Sequence, residues 1–324
     1  MRPDSKRIIK SIRRRRGEEE DDCAKPFFKW AGGKSQLLEA FESRLPEGLN
    51  SGTLNRYVEP FIGGGAVFFF IAQLFPLKEA VICDVNKELI LAYTAVKNDV
   101  SGLISRLKEY QEQYDGLIGD QRMEMFYTVR NTLNAELKTF NYESYSDEWT
   151  KRAAKLLFLN KTCFNGLYRV NSKGEFNVPF GKYNNPNVVH EENLRKVSDL
   201  LQNTTIILGD FSRCRDFIDE QTFAYCDPPY RPISKSSTFT SYSEDGFSDQ
   251  DQVRLCEFFR EVDKAGAKVM LSNSDPKNED LDDHFFDSLY KDYLIERVPA
   301  KRMINSNGEK RGAINELIIR NYEA

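Results

Sequence analysis

The chain has 324 residues, 40% of them hydrophobic and 30% charged, which is enough apolar material for a buried core and too much for a disordered polymer. Its 46 Lys and Arg face 50 Asp and Glu, a net charge of -4; this excludes binding nucleic acid by bulk charge but leaves room for a local basic surface. The longest apolar runs, such as Ala66–Ala72, fall far short of the roughly 20 residues that cross a bilayer. No apolar segment follows the N-terminal arginines as a signal peptide requires, so the expectation is a soluble, cytoplasmic protein without a membrane partner. The six cysteines form no CxxC pair, and His190 and His284 stand far apart, so the spacing offers no metal site.

In chain order, residues 1–24 read as a charged, disordered tail: Arg13–Arg16 is basic and Glu18–Asp22 acidic, with no apolar period between them. The cluster Trp30-Ala31-Gly32-Gly33-Lys34-Ser35 resembles a phosphate loop superficially. Phe28 stands where that loop needs glycine, and no strand precedes it. Lys34 can instead meet a carboxylate, and Trp30 offers a flat face for stacking. From Lys25 onward short apolar runs alternate with helical stretches. Strands are expected at 57–61, 80–84, 205–210, 223–227 and 267–273, each a continuous apolar run of the kind buried on both faces of a parallel sheet.

Glu59-Pro60-Phe61-Ile62-Gly63-Gly64-Gly65 closes the first strand, and its glycines allow a tight turn against which a ligand can lie. Asp84 ends the next strand about 20 residues on, where a carboxylate can accept hydrogen bonds from ribose hydroxyls. The turn is GGG, not GxGxxG, so the pair favours a nucleoside-containing cofactor without a pyrophosphate. About 120 residues then separate the second and third strands, more than a crossover requires. Residues 94–195, with helices over 103–114 and 122–137, are read as an inserted domain. A helix is expected over 249–265. An antiparallel hairpin of 293–299 and 314–322, turning at Asn305–Gly308, closes the sheet. The fold class is α/β with a mostly parallel sheet.

Asp227-Pro228-Pro229-Tyr230 follows the fourth strand. Two prolines remove backbone donors and stiffen the turn, leaving carbonyl acceptors beside a carboxylate and an aromatic face. An exocyclic amino group of a purine finds acceptors for both N–H bonds there while its ring lies on Tyr230, which suits a base taken out of a duplex.

With these motifs in place, the chain resembles the Dam-type N6-adenine DNA methyltransferases of the alpha group. The resemblance rests on Phe28–Lys34, Glu59–Gly65, Asp84, Gly209-Asp210-Phe211 and Asp227–Tyr230, together with Phe164–Arg169 and Gly174–Tyr183. It covers residues 25–324 in the family's order. It implies a Rossmann-like catalytic domain made of 25–93 and 196–324, and a target-recognition domain at 94–195. It implies S-adenosylmethionine as cofactor, held by Trp30, Lys34, Pro60, Phe61, Gly63, Gly65, Asp84, Asp210, Phe211 and Asp227, with no metal. The catalytic group it implies is Asp227, Pro228, Pro229 and Tyr230: Asp227 and the Pro228 carbonyl orient the target N6, and Tyr230 stacks on the flipped base. The implied partner is double-stranded DNA methylated at adenine, within GATC. A cognate restriction endonuclease can accompany such an enzyme without a stable complex.

The insert carries the recognition chemistry in this reading. Between Asn160 and Tyr183 four cations (Lys161, Arg169, Lys173, Lys182) oppose Glu175, a local charge of +3. The turn Asn171–Gly174 suggests a β-hairpin that enters a groove. Arg169 can contact guanine bidentately, backbone near Leu167 and Pro179 can sense neighbouring bases, and Lys29 and Asn165 complete the DNA-binding set. Arg297, Lys301, Arg302, Lys310 and Arg311 are placed on phosphates, and Ser234–Tyr242 as a flexible loop over the site. Cytosine N4, RNA or a protein glutamine are alternative methyl acceptors, and a catalytically lapsed DNA-binding module is the alternative of another class. Asp at 227 and the basic insert favour adenine in DNA, and neither the turn nor Tyr230 is lost.

Overall fold

The computed structural model describes residues 23–34, 37–231, 246–301 and 313–324, with backbone alone at 300–301 and 313–314. Its centre is a seven-stranded sheet formed by β1 (Arg56–Glu59), β2 (Glu79–Asp84), β3 (Thr204–Leu208), β4 (Thr222–Cys226), β5 (Lys268–Ser274), β6 (Leu294–Lys301) and β7 (Ala313–Arg320). The spatial order is β3-β2-β1-β4-β5-β7-β6. The first five are parallel, and β7 runs antiparallel to both neighbours. Successive side chains go to opposite faces. Tyr57, Ile82, Tyr225 and Met270 join one apolar cluster, while their neighbours Val58, Cys83, Cys226 and Leu271 join another. Both faces are therefore covered, which is why the strands read as unbroken apolar runs.

The hairpin closes the sheet as expected. Its second arm, β7, lies inside the sheet and β6 takes the edge. The composition explains this. Leu317, Ile318 and Ile319 of β7 are all buried, whereas β6 carries Glu296, Arg297 and Pro299, the charges and proline that suit an exposed edge.

Helix α1 (Ala66–Leu74) follows the glycine turn and is apolar on every side; Val67 through Ile71 are all buried. Helix α2 (Lys87–Asn98) is capped by Asn86, whose side chain accepts the Leu89 amide. The insert contributes α3 (Val100–Asp115), α4 (Asp120–Glu136) and α5 (Asp147–Thr162), and α5 packs against α2, α3 and α4. Helix α6 (Glu191–Leu201) leads into β3, and α7 (Asp249–Lys264), started by a Ser248/Asp251 capping box, covers the second face. The helices α2 and α6 run through positions 94 and 195, so no element ends at the boundaries expected for the insert. Leu107, Phe126 and Phe158, between positions 94 and 195, share one core with Tyr57 and Phe68.

Arg152 on α5 is buried and forks onto Glu88 of α2 at 3.0 Å while donating to the Leu133 carbonyl at 3.0 Å. That pair ties α5 to α2, the helix that follows Asp84.

The expected tail is too long by two residues at least. Cys23 and Ala24 are buried, and Ala24 exchanges two hydrogen bonds with Gln73, at 2.7 and 3.1 Å. The charged blocks before them lie outside the described residues, as do Ser234–Tyr242, Asn305–Gly308, Arg302, Lys310, Arg311 and the Lys301 side chain. Among the described residues no helix is long and apolar enough to cross a membrane.

Candidate active site

The strand order reverses between β1 and β4, and ligands of open parallel sheets bind at the carboxyl edge beside such a point. Three neighbouring strands end there in carboxylates: Asp84 on β2, Glu59 on β1 and Asp227 just after β4. On the β2 side, Gly63 (φ 46°) and Gly65 (φ 72°) occupy the left-handed region. A Cβ at Gly65 would stand 2.4 Å from the Tyr93 hydroxyl, so no larger residue fits. The Gly63 amide donates to Asp84 Oδ2 at 3.1 Å and the Asn86 amide to Oδ1 at 2.9 Å. Burial pushes the Asp84 carboxyl up to about 6 against the pull of those amides. Trp30 lies over the turn, 3.1 Å from where a Gly63 Cβ would be. Glu59 is buried, accepts the Tyr57 hydroxyl at 2.6 Å and is held well above the ordinary carboxylate range by that burial.

On the β4 side, Asp227 Oδ2 meets Lys34 Nζ at 2.8 Å, and Oδ1 accepts from Ser272 Oγ at 3.0 Å. Ser272, on neighbouring β5, is itself paired with the Tyr225 hydroxyl at 2.8 Å. Burial raises the Asp227 carboxyl, opposed by Lys34 and Ser272. The Lys34 ammonium also donates to the Gly32 carbonyl at 2.7 Å and stands 4.5 Å from the Tyr230 ring centroid. Tyr230 donates its hydroxyl to Glu316 Oε2 of β7 at 2.6 Å, and burial raises the Glu316 carboxyl. Pro228 is buried; Pro229 is exposed and its carbonyl accepts from Gln252 at 3.2 Å. An N–H-bearing cation thus already sits between the carboxylate and the ring. The same pair of groups can take an amino group attached to a flat base.

The remaining cofactor candidates line the same edge. Pro60 is buried and Phe61 half-buried. Phe211 is buried, its ring 5.5 Å from those of both Phe61 and Phe258. Asp210 caps the following turn through Ser212 and pairs with Arg254 at 3.0 Å. Ser272 and Glu316 lie at this edge outside every motif of the sequence reading, and Glu59, which opens one, was given no role of its own. Glu316 had a signal, a lone carboxylate inside the apolar run of β7, and Ser272 stood at the end of the strand beside β4.

The expected hairpin forms, with antiparallel bridges Cys163–Phe180 and Val170–Phe176 and a turn closed by Gly174 N–H onto Asn171 O at 2.9 Å. Arg169 is exposed, its Nε held by Asn177 Oδ1 at 2.7 Å. Asn165 is exposed in the left-handed region (φ 57°). Leu167 is half-buried, with its carbonyl facing the Cys163 thiol at 3.1 Å. Pro179 is exposed and its carbonyl accepts the Phe164 amide at 2.8 Å. Lys29 joins this group through Asn160, which bonds Lys29 O at 3.0 Å and Gly166 O at 3.3 Å. Lys161 beside it is pushed down to about 8 by burial and by the Lys29 charge. Arg297 departs from its assignment to phosphate. It is held by Asp275 and Asp287, each at 2.9 Å, because β6 places it beside two carboxylates that neutralise it.

The sheet order, with its final antiparallel pair, and the carboxylate-rich edge define a methyltransferase of the Rossmann-like kind. Residues 30–304 match D12 class N6 adenine-specific DNA methyltransferases, and the chain belongs to that family as a DNA (adenine-N6)-methyltransferase. It is 48% identical to the type II methyltransferase M.MjaIII of Methanocaldococcus jannaschii, over 92% of this chain and 99% of that one. It is 39% identical to the type II methyltransferase M1.LlaDCHI of Lactococcus lactis, over 92% and 95%. The DNA adenine methylase of Escherichia coli K12 is 31% identical over 90% and 93%. The family uses S-adenosylmethionine as methyl donor, and DNA is its substrate.

Proposed function

We propose that the enzyme methylates the adenine of GATC in double-stranded DNA after drawing that base out of the helix. The observation that carries this reading is the Asp227–Lys34–Tyr230 arrangement, in which a carboxylate and an aromatic face converge on one nitrogen. The edge also fits the donor. Asp84 presents a half-buried carboxylate for the ribose, the Gly63–Gly65 turn leaves a cradle that a Cβ would fill, and Phe61 and Phe211 supply apolar walls. Trp30, Lys34, Pro60, Asp210 and Asp227 complete the set that would hold it.

When bound, S-adenosylmethionine supplies a methyl group on a sulfonium sulfur, open to direct displacement by an amine. The chain's own work is alignment. Asp227 and the Pro228 carbonyl accept the two N6 hydrogens, Tyr230 holds the ring flat, and Glu316 fixes Tyr230. The N6 nitrogen sheds one proton as it gains the methyl, and Asp227, whose burial raises its proton affinity, receives it and passes it to water. Residues 94–195 act as the recognition domain: Arg169 reads a guanine, Lys29, Asn165, Leu167 and Pro179 frame neighbouring bases, and phosphates are held by basic residues around them. The names of the relatives at 48% and 39% support a setting in which a restriction endonuclease acts on the same site.

Plasmid DNA from cells expressing the protein tests this. Nucleases restricted to methylated GATC are expected to cut it and those restricted to unmethylated GATC to fail. N6-methyladenine found by mass spectrometry with GATC still unmethylated would overturn the site, and no N6-methyladenine at all would overturn the activity.

A further inference from the structure

The hairpin assigned to DNA touches the pocket assigned to the donor through one side chain. Tyr168 directly precedes Arg169, yet it turns inward and is buried. Its ring stacks on Trp30 with centroids 5.1 Å apart and planes at 20°. Trp30 in turn covers the Gly63 turn. Phe28 and Phe176 pack against the ring, each at 6.0 Å. One residue of the hairpin therefore backs the Trp30 ring that covers the glycine turn of the proposed donor cradle.

We propose that Tyr168 is a positioning residue that couples seating of the recognition hairpin on DNA to closure of the donor pocket. The inference rests on the donor lying beside Asp84, as read above. Arg169 cannot shift into a groove without moving the adjoining peptide. Because the Tyr168 ring is stacked on Trp30 and packed against Phe28 and Phe176, that movement reaches the cradle. Coupling between two ligands is reciprocal, so donor binding must also favour the hairpin conformation that reads DNA. A buried stack has few alternative packings, so it transmits a displacement instead of absorbing it.

The test is calorimetric binding of S-adenosylhomocysteine, with and without a duplex carrying the methylated site, to the wild type and to Tyr168→Phe and Tyr168→Leu. The wild type is expected to bind it roughly 5-fold or more tighter with the duplex than without, the lower range of ordinary allosteric coupling. Tyr168→Leu is expected to reduce that ratio to near one, and Tyr168→Phe, which keeps the stack, to leave it near the wild-type value. Emission from Trp30, isolated by Trp149→Phe, is expected to respond to duplex in the absence of donor only while the Tyr168 ring is present. A ratio near one in the wild type or in Tyr168→Phe, or a full ratio in Tyr168→Leu, overturns the proposal. Should Tyr168→Leu fail to fold, Trp30 emission that does not respond to duplex while the Tyr168 ring is present overturns it. An affinity that Asp84→Ala leaves untouched would remove the donor from this pocket, a failure distinguishable from the loss of coupling alone.

Discussion

Asp84 has two demands on it that oppose one another. Burial drives its carboxyl up to about 6, while its expected task, accepting ribose hydroxyls, needs the ionised form. Between its unfolded value near 3.9 and 6 the folded chain binds the extra proton, so this group's contribution to stability declines as pH rises through that window. Donor binding has the opposite sign. Affinity for S-adenosylhomocysteine is expected to weaken as pH is lowered from 7 through 6, and Asp84→Asn is expected to flatten the profile; a wild-type profile level to pH 5 would contradict the role. Asp84→Ala is expected to lose about 10–100-fold in affinity, the worth of a charged hydrogen bond. At Asp227 the choice of variant matters. Asp227→Ala strands the buried Lys34 ammonium, and breaking such a pair costs about 3–5 kcal/mol. Asp227→Asn keeps an acceptor for Ser272, so it is expected to fold and to lose about 10²–10⁴-fold in kcat, the range for a lost proton acceptor. Single-turnover methylation measures this directly, and near-normal kcat would remove Asp227 from the chemistry.

The hairpin and the helices of the insert make separate demands. Arg169 is exposed and tethered only to Asn177 in the contacts described, so releasing it disturbs little of the fold. Arg169→Ala is expected to relax the choice of one guanine at a cost of about 1–3 kcal/mol. Competition among duplexes substituted at each position measures it, and an equal loss on all sequences would make Arg169 a phosphate contact. The Arg152–Glu88 pair is a matter of stability. Glu88→Ala leaves a buried guanidinium with Glu136 and the Leu133 carbonyl, and is expected to cost about 3 kcal/mol in urea unfolding. Elements with a strict pattern were legible beforehand: the five parallel strands, α7 with its apolar stripe, and the hairpin turn at Asn171–Gly174. Helices α2 and α6 run across the expected limits of the insert, where composition does not change.

For the whole molecule, chain order and spatial order part company at places that no local pattern marks. The position of β7 inside the sheet follows from comparing two strands for charge and proline, and the burial of Cys23 and Ala24 follows from a partner, Gln73, 49 residues away. Each motif of the candidate site is a contiguous run and so visible in the sequence; Ser272 and Glu316 belong to none, since β5 and β7 bring them to Asp227 and Tyr230 from 45 and 86 residues along the chain. What unites these pieces is the space now filled by the Lys34 ammonium. A crystal structure of the enzyme with a target duplex and S-adenosylhomocysteine tests that space most directly. The account expects the adenine out of the helix, its N6 within hydrogen-bond reach of Asp227, its ring against Tyr230 and Lys34 displaced. An adenine still stacked in the duplex, with Lys34 and Asp227 paired as they are here, would contradict it.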